Sequence, residues 1–300
     1  MTAVEICLDD LAGVRIAEEE GADRIELCAA LAEGGITPSI GTVAAALRAA
    51  TRIGIQVLVR QRPGDFVYDE DELQAMVDDI HSMRALPNPA GVPLGFVIGA
   101  LRADGRINAD ATRRLVAACG DAPVTFHKAF DQLTDRAEAL EQLIDLGVGR
   151  VLTSAGAPTV LEGADELARL VRLAGDRIAI LAGGGVRPAN VAEVVERTGV
   201  REVHLRAQHA APSAAAAAGM PTAYDSGTRD VTSAEVVRAV IAAVGGAANG
   251  DAASDDAASG DAANDDAASD DAASDDAASD GAASDDAASG DAASDGERGA

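Results

Sequence analysis

Short apolar runs alternate with longer stretches of helical spacing along most of the chain. The runs begin near Val4, Arg24, Ile55, Gly95, Val124, Arg150, Ile178 and Val203, and they read as strands. Ala, Leu, Val and Ile recur with helical period over 11–20, 40–50, 70–86, 111–119, 136–146, 164–174, 189–197 and 233–244. Strand starts lie roughly 20 to 40 residues apart, the length of a strand, its crossover helix and the return. Strict alternation calls for a parallel sheet with helices outside it. Eight such units in about 245 residues favour closure, so the predicted fold class is α/β, a (β/α)8 TIM barrel, with an open sheet as the alternative. Gly21, Gly147 and Gly199 stand where helices should end, and Pro38 and Pro188 are read as first-turn prolines.

Two stretches leave this rhythm. Residues 208–230 are rich in Ala, Gly and Pro, which predicts a mobile surface loop at the C-terminal mouth of the barrel. From Asp251 onward the text is a near-repeat of DAASDDAASG with no aliphatic residue larger than Ala. Such a segment cannot bury enough apolar surface to offset the entropy of ordering, so a disordered tail is expected. The domains are therefore a barrel over 1–245 and a low-complexity acidic tail over 246–300.

The charge sharpens this division. Fifteen Asp and one Glu against one Arg give the segment from 251 a charge of −15, leaving −11 of the total −26 to the rest. An acidic body with an acidic tail argues against nucleic acid or an anionic membrane as partner. The tail reads as a solubilising appendage, with recruitment of cations or a basic partner as the alternative. No run approaches the roughly 18 apolar residues of a membrane span, and the chain opens directly on a strand. Three cysteines, Cys7, Cys28 and Cys119, make no disulfide framework, so a cytoplasmic protein with reduced thiols is expected.

The first two strands, VEICLD (4–9) and RIELCA (24–29), each carry Glu and Cys two positions apart. Strand residues alternate between faces, so Val4, Ile6, Ile25 and Leu27 should face the helices. Glu5, Cys7, Glu26 and Cys28 should face the barrel interior, with the cysteines nearer the active C-terminal end. Buried carboxylates need a cation, and Arg60 at the end of the third strand is the expected partner. Glu5, Glu26 and Arg60 then form either a structural ion network or a site in which one carboxylate is a general base. Cys7 and Cys28 are candidate ligands for a soft metal such as Cu(I), or small buried hydrophobes, as Cys119 is taken to be.

His127 should point inward from the fifth strand, with Asp131 four residues on as its orienting carboxylate in an acid–base pair; a structural histidine is the other reading. Lys128, the only lysine in the chain, is turned away from the interior by strand parity. The sixth and seventh strands end in TSAG and AGGG, small residues with free backbone N–H groups ahead of helices. Ser154, Gly183, Gly184 and Gly185, with Arg206 from the eighth strand, are therefore candidate anion-binding residues.

With these pieces in place the sequence resembles the copper homeostasis protein CutC family. The motifs are VEIC, GADRIELCAALAEGGITPS, RPGDFVY, TFHKAFD, RVLTSAG and AGGGVRPAN, and the likeness runs from Met1 to about Val244. It implies a TIM barrel, a cytoplasmic location and a role in copper handling. Cys7 and Cys28 match the family cysteines considered as copper ligands. The chain departs from the family where Leu205, Arg206 and Ala207 follow His204 in place of a small Ser- or Cys-containing turn. Lys128 stands where arginine is general, and the stretch after Gln208 is unusually long. The leading expectation is copper homeostasis, with Cu(I) on Cys7 and Cys28. The alternative is an enzyme acting on a small anionic, phosphorylated metabolite through Glu5, Glu26 and His127. The partner is then a copper ion or that metabolite, not nucleic acid or membrane, with a homo-oligomer left open.

Overall fold

Each predicted strand takes its place in the sheet of the computed structural model, which describes residues 2–219 and 227–254. Strands β1 (Ala3–Leu8), β2 (Arg24–Leu27), β3 (Gly54–Leu58), β4 (Leu94–Ile98), β5 (Val124–Phe126), β6 (Arg150–Thr153), β7 (Ala179–Gly183) and β8 (Glu202–Leu205) lie in sequence order. All pair in parallel, and β8 returns to β1 to close the barrel. Between them run α1 (Leu11–Glu19), α2 (Ile40–Ala49), α3 (Glu70–Arg84), α4 (Ala109–Cys119), α5 (Arg136–Asp145), α6 (Ala164–Ala174) and α7 (Val191–Thr198). After β8 come β9 (Gln208–Pro212), a short α8 (Ala214–Ala217), β10 (Thr228–Thr232) and α9 (Ala234–Ser254). The (β/α)8 TIM barrel is thus the fold, as the alternation required.

Local chemistry sets the helix starts. Asp10, Ser39, Asn108 and Asp135 each accept a hydrogen bond from the backbone N–H three residues on, and Asp69 and Glu72 form a reciprocal capping box. Pro38 and Pro188 therefore stand ahead of the caps Ser39 and Asn190, not inside the first turns. At the other end of α7, Gly199 takes the left-handed conformation (φ 70°) that a residue with a side chain would resist.

The core lies between the barrel and its helices. Ile6, Ile25, Leu27, Ile55, Val57 and Phe96 point outward from the strands and are fully buried against Val14, Leu47 and Met76 of the helices. Burying each large side chain is worth about 1.5–3 kcal/mol, so this layer carries most of the stability. Truncating Phe96 to Ala would cost about 3–5 kcal/mol.

The stretch after Gln208 is more ordered at its base than a loop. β9 and β10 pair antiparallel, Gln208 opposite Thr232 and Pro212 opposite Thr228. The arm is fastened to the barrel where the Thr232 backbone N–H and hydroxyl both donate to Asp10 Oδ2. Residue 13 must be glycine beneath it, since a Cβ there would sit 2.2 Å from Thr232 Oγ1. Residues 220–226 lie outside the described residues. α9 continues through Gly245 and Gly246, the expected end of the barrel domain, to Ser254. The tail from 255, expected to be disordered, lies outside the described residues.

Candidate functional site

Register brings the sequence-predicted residues together on one side of the barrel interior. In the β1–β2 pair Glu5 stands beside Arg24 and Cys7 beside Glu26; in the β1–β8 pair Glu5 stands beside His204. Glu5, Cys28, Glu26 and Cys7 are all buried, and Cys7 and Cys28 share a small apolar cluster with Leu58 and Val97. Cys119 is also buried, in the main core, and burial pushes its thiol up to about 12.

The cation that balances Glu5 is not Arg60. Glu5 accepts hydrogen bonds from Arg24 Nε and, at 2.7 Å, from His204 Nδ1. Arg24 continues to Glu202, which also receives Arg150, so an unbroken charged chain crosses the lower interior. Arg24 wins because it is the register neighbour of Glu5. Arg60 lies beyond the end of β3, where loop carbonyls come within reach. It donates through Nη1 to Gly35 O at 2.8 Å and through Nη2 to Gly64 O at 2.7 Å.

Burial and partners drive these groups apart in acidity. Burial would raise the Glu5 carboxyl, but the His204 hydrogen bond and the Arg24 charge outweigh it and hold it at about 2. For Glu26 the balance is reversed: burial and the charge of Cys7 push it well above the carboxylate range despite the opposing charge of His204, so it keeps its proton. The Cys28 thiol, with help from His204, overcomes burial and lowers Cys7 to about 5, whereas burial and Cys7 push Cys28 well up. His204 is raised despite burial, through its hydrogen bonds to Cys7 and Glu5. The result is a Cys7 thiolate, a His204 imidazolium and a Glu5 carboxylate in series, with neutral Glu26 and Cys28 against them. The two sulfurs are 3.8 Å apart, and Cys28 Sγ is 3.6 Å from Glu26 Oε2. One donor atom from each of Cys7, Glu26 and His204 lies within 4.8 Å of the other two.

Across the mouth the expected His127–Asp131 pair does not form. His127 Nδ1 accepts the Ala129 N–H at 3.1 Å, which turns the ring away from Asp131 and toward Phe66, 4.7 Å between centroids. Asp131 instead fills the loop after β6. It accepts from the Thr153 hydroxyl, Ser154 N at 3.1 Å and Gly156 N at 2.9 Å. The backbone N–H groups expected to cradle an external anion thus already hold a carboxylate of the chain. Lys128 joins them, its Nζ 2.6 Å from Asp131 Oδ2, 2.8 Å from Ser154 Oγ and 3.1 Å from Gly183 O. Strand parity turned Lys128 outward, but β5 ends at Phe126 and a 3-10 turn over Lys128–Gln132 redirects it to the mouth.

The remaining anion-site candidates are dispersed. Gly184 backs onto Lys128 and Ser154, where a Cβ would approach Nζ to 3.2 Å, while Gly185 faces Thr159. Arg206 pairs with Asp230 of the β10 arm at 3.5 Å. Sequence reasoning assigned no role to His204 or Arg24, although the parity that placed Glu5 and Cys7 inside also places Glu202 and His204 on one face of β8. Phe66 and Gly99, which wall His127, carried no such signal.

A closed parallel barrel whose interior carries a buried thiol, imidazole and carboxylate cluster makes this a TIM-barrel protein with a mixed polar centre among its described residues. The CutC family model matches residues 2–209. A CutC family protein of Mesorhizobium japonicum is 50% identical over 210 residues, 70% of this chain and 79% of the relative. One of Caulobacter vibrioides is 47% identical over 201 residues, 67% of this chain and 79% of the relative. The crystal structure of CutC from Streptococcus agalactiae, named for copper homeostasis, is 31% identical with a TM-score of 0.63, covering 68% of this chain and 98% of that one. The chain belongs to the CutC family.

Proposed function

We propose that this protein serves copper homeostasis in the cytoplasm by holding Cu(I) as cargo on Cys7 and Cys28, with His204 or Glu26 as a third donor. The observation that carries this reading is the buried sulfur pair, 3.8 Å apart, with both other donors against it. Soft thiolates select Cu(I), and imidazole is compatible with it. Two collinear metal–sulfur bonds of about 2.3 Å would separate the sulfurs by about 4.6 Å, so a shorter gap favours a bent arrangement with room for a third ligand. All three cysteines are free, as a reducing compartment would keep them. Loading must displace the proton that burial keeps on Cys28, so apparent affinity rises with pH. The test is titration of the reduced protein with Cu(I) against a competing chelator. Cys7→Ser and Cys28→Ser should each weaken binding at least tenfold, since each removes a ligand outright; weak binding indifferent to both overturns the proposal.

A second reading, an enzyme acting on a small phosphorylated metabolite, is favoured by the Glu5–His204–Cys7 series, in which a carboxylate orients an imidazole beside a thiolate. It requires that some phosphorylated metabolite raise the melting temperature, and a panel with no effect removes it.

A further inference from the structure

The mouth cavity has a second side that the copper reading does not use. Its volume is about 150 Å³, and Arg60, Phe66 and His127 line it opposite Cys7, Cys28 and His204. On that side two polar atoms are buried without any hydrogen-bond partner: Arg60 Nε and His127 Nε2. Both residues are more than nine-tenths buried. Because His127 Nδ1 is used as an acceptor from Ala129, the proton of the neutral ring resides on Nε2, which makes it a donor. Arg60 Nε is a donor by nature. Leaving a buried donor unpaired is costly, and two in one small cavity call for a shared acceptor.

Charge selects the acceptor. Both terminal nitrogens of Arg60 are spent on carbonyl oxygens, so its positive charge meets no carboxylate there. Lys128, by contrast, is neutralised by Asp131, and Arg24 by Glu5. The local imbalance is one positive charge, which a monoanion would cancel. Phe66 lies between the two donors, 5.0 Å from the Arg60 guanidinium and 4.7 Å from the His127 ring, and forms an apolar floor. The His127 ring is fixed from behind, since a Cβ on Gly99 would lie 2.3 Å from its Cε1. Cavities of about 150 Å³ accept a molecule the size of benzene, about six heavy atoms.

We propose that this half of the mouth is a binding site for a small monocarboxylate of about two to four carbons, its oxygens accepting from Arg60 Nε and His127 Nε2 and its carbon chain resting on Phe66. The proposed contacts do not use the cysteine ligands of the copper reading, although both sets of residues line one cavity.

The test uses the full chain labelled with ¹⁵N-histidine and titrated with acetate and with lactate, with acetamide as the uncharged control. The expected result is a saturable shift of the His127 Nε2 resonance, with a dissociation constant of about 1 mM or tighter for at least one carboxylate, and no comparable response to acetamide. His127→Phe, which keeps a ring against Phe66 but removes the donor, should weaken carboxylate binding about tenfold or more, as loss of a hydrogen bond to a charged group does. Arg60→Lys should do the same, while Cys7→Ser should leave it intact. No shift with either carboxylate overturns the proposal, as does equal binding of acetamide, indifference to His127→Phe or loss of binding in Cys7→Ser. Because the shift is read on the unsubstituted protein, a variant that fails to fold does not shield the idea.

Discussion

The two sides of the mouth are built from the same residue types and finished in opposite ways. On the β1–β2–β8 side, His204 sits between Glu5 and Cys7, and every charge has a partner of the other sign within the barrel. On the β3–β5 side, His127 and Arg60 face a cavity with donors left over. Burial is similar for both; the difference is the neighbour. A histidine beside a carboxylate and a thiolate is held positive, while one beside an arginine and a phenyl ring is held neutral, with burial and Arg60 pushing it down to about 3. A closed polar network is suited to holding its own shape around a soft cation. An open pair of donors is suited to capturing an oxygen acceptor.

The comparison can be broken by removing charges one at a time. Glu5→Ala takes from both Arg24 and His204 their shared carboxylate, leaving Arg24 with Glu202 and His204 with Cys7, and should cost about 3 kcal/mol in urea unfolding, the low end of the penalty for breaking a buried ion pair. If Glu5→Ala cost under 1 kcal/mol, the first side would not be the closed network described. Asp131→Ala tests whether partners or position decide the matter, because Asp131 follows His127 by only four residues yet is engaged by the β6 loop and Lys128. Removing it leaves Ser154 N and Gly156 N unpaired and should cost about 2–3 kcal/mol. A neutral outcome would show that those groups are satisfied some other way.

Acid sensitivity sharpens the contrast. An unfolded chain protonates His127 near the ordinary 6.5, whereas the native protein resists until about 3. Through that window the unfolded state binds the extra proton, so stability falls as pH drops, by up to about 1.4 kcal/mol per pH unit. Glu5 adds a loss of the same sign lower down, between the ordinary 4.5 and about 2. His204 acts the other way: its contribution is complete below 6.5 and is lost as pH rises through its elevated native value. Urea midpoints measured against pH should therefore show a limb between pH 6.5 and 4.5 that His127→Phe flattens; an unchanged limb would assign it elsewhere. The smallest effect is expected from His127→Phe at neutral pH, a change of about 1 kcal/mol or less, because losing the Ala129 hydrogen bond is offset by removing an unpaired donor. A cost above about 3 kcal/mol would mean that Nε2 already has a partner.

How much of this could be read from the chain depended on how local the cause was. Period-two alternation is rigid, so the inward set Glu5, Cys7, Glu26 and Cys28 and the outward set Ile6, Ile25 and Leu27 were legible from β1 and β2 alone. The same parity failed for Lys128; it placed Arg60 at the mouth but not with the right partners, because both residues lie past the last paired residue of their strands, where loop geometry takes over. The capture of Asp131 by the β6 loop joins residues more than 20 positions apart and leaves no periodic trace. The β9–β10 arm escaped notice because its first strand, QHAAP, is mostly exposed and has no alternating apolar face.

The most direct test of the account is the protonation state of the two histidines, read from side-chain ¹⁵N resonances of the metal-free, reduced protein at neutral pH. The account predicts a doubly protonated His204 and a neutral His127 with its proton on Nε2. A neutral His204, or a His127 that takes up its second proton near 6.5 like a free imidazole, would contradict it.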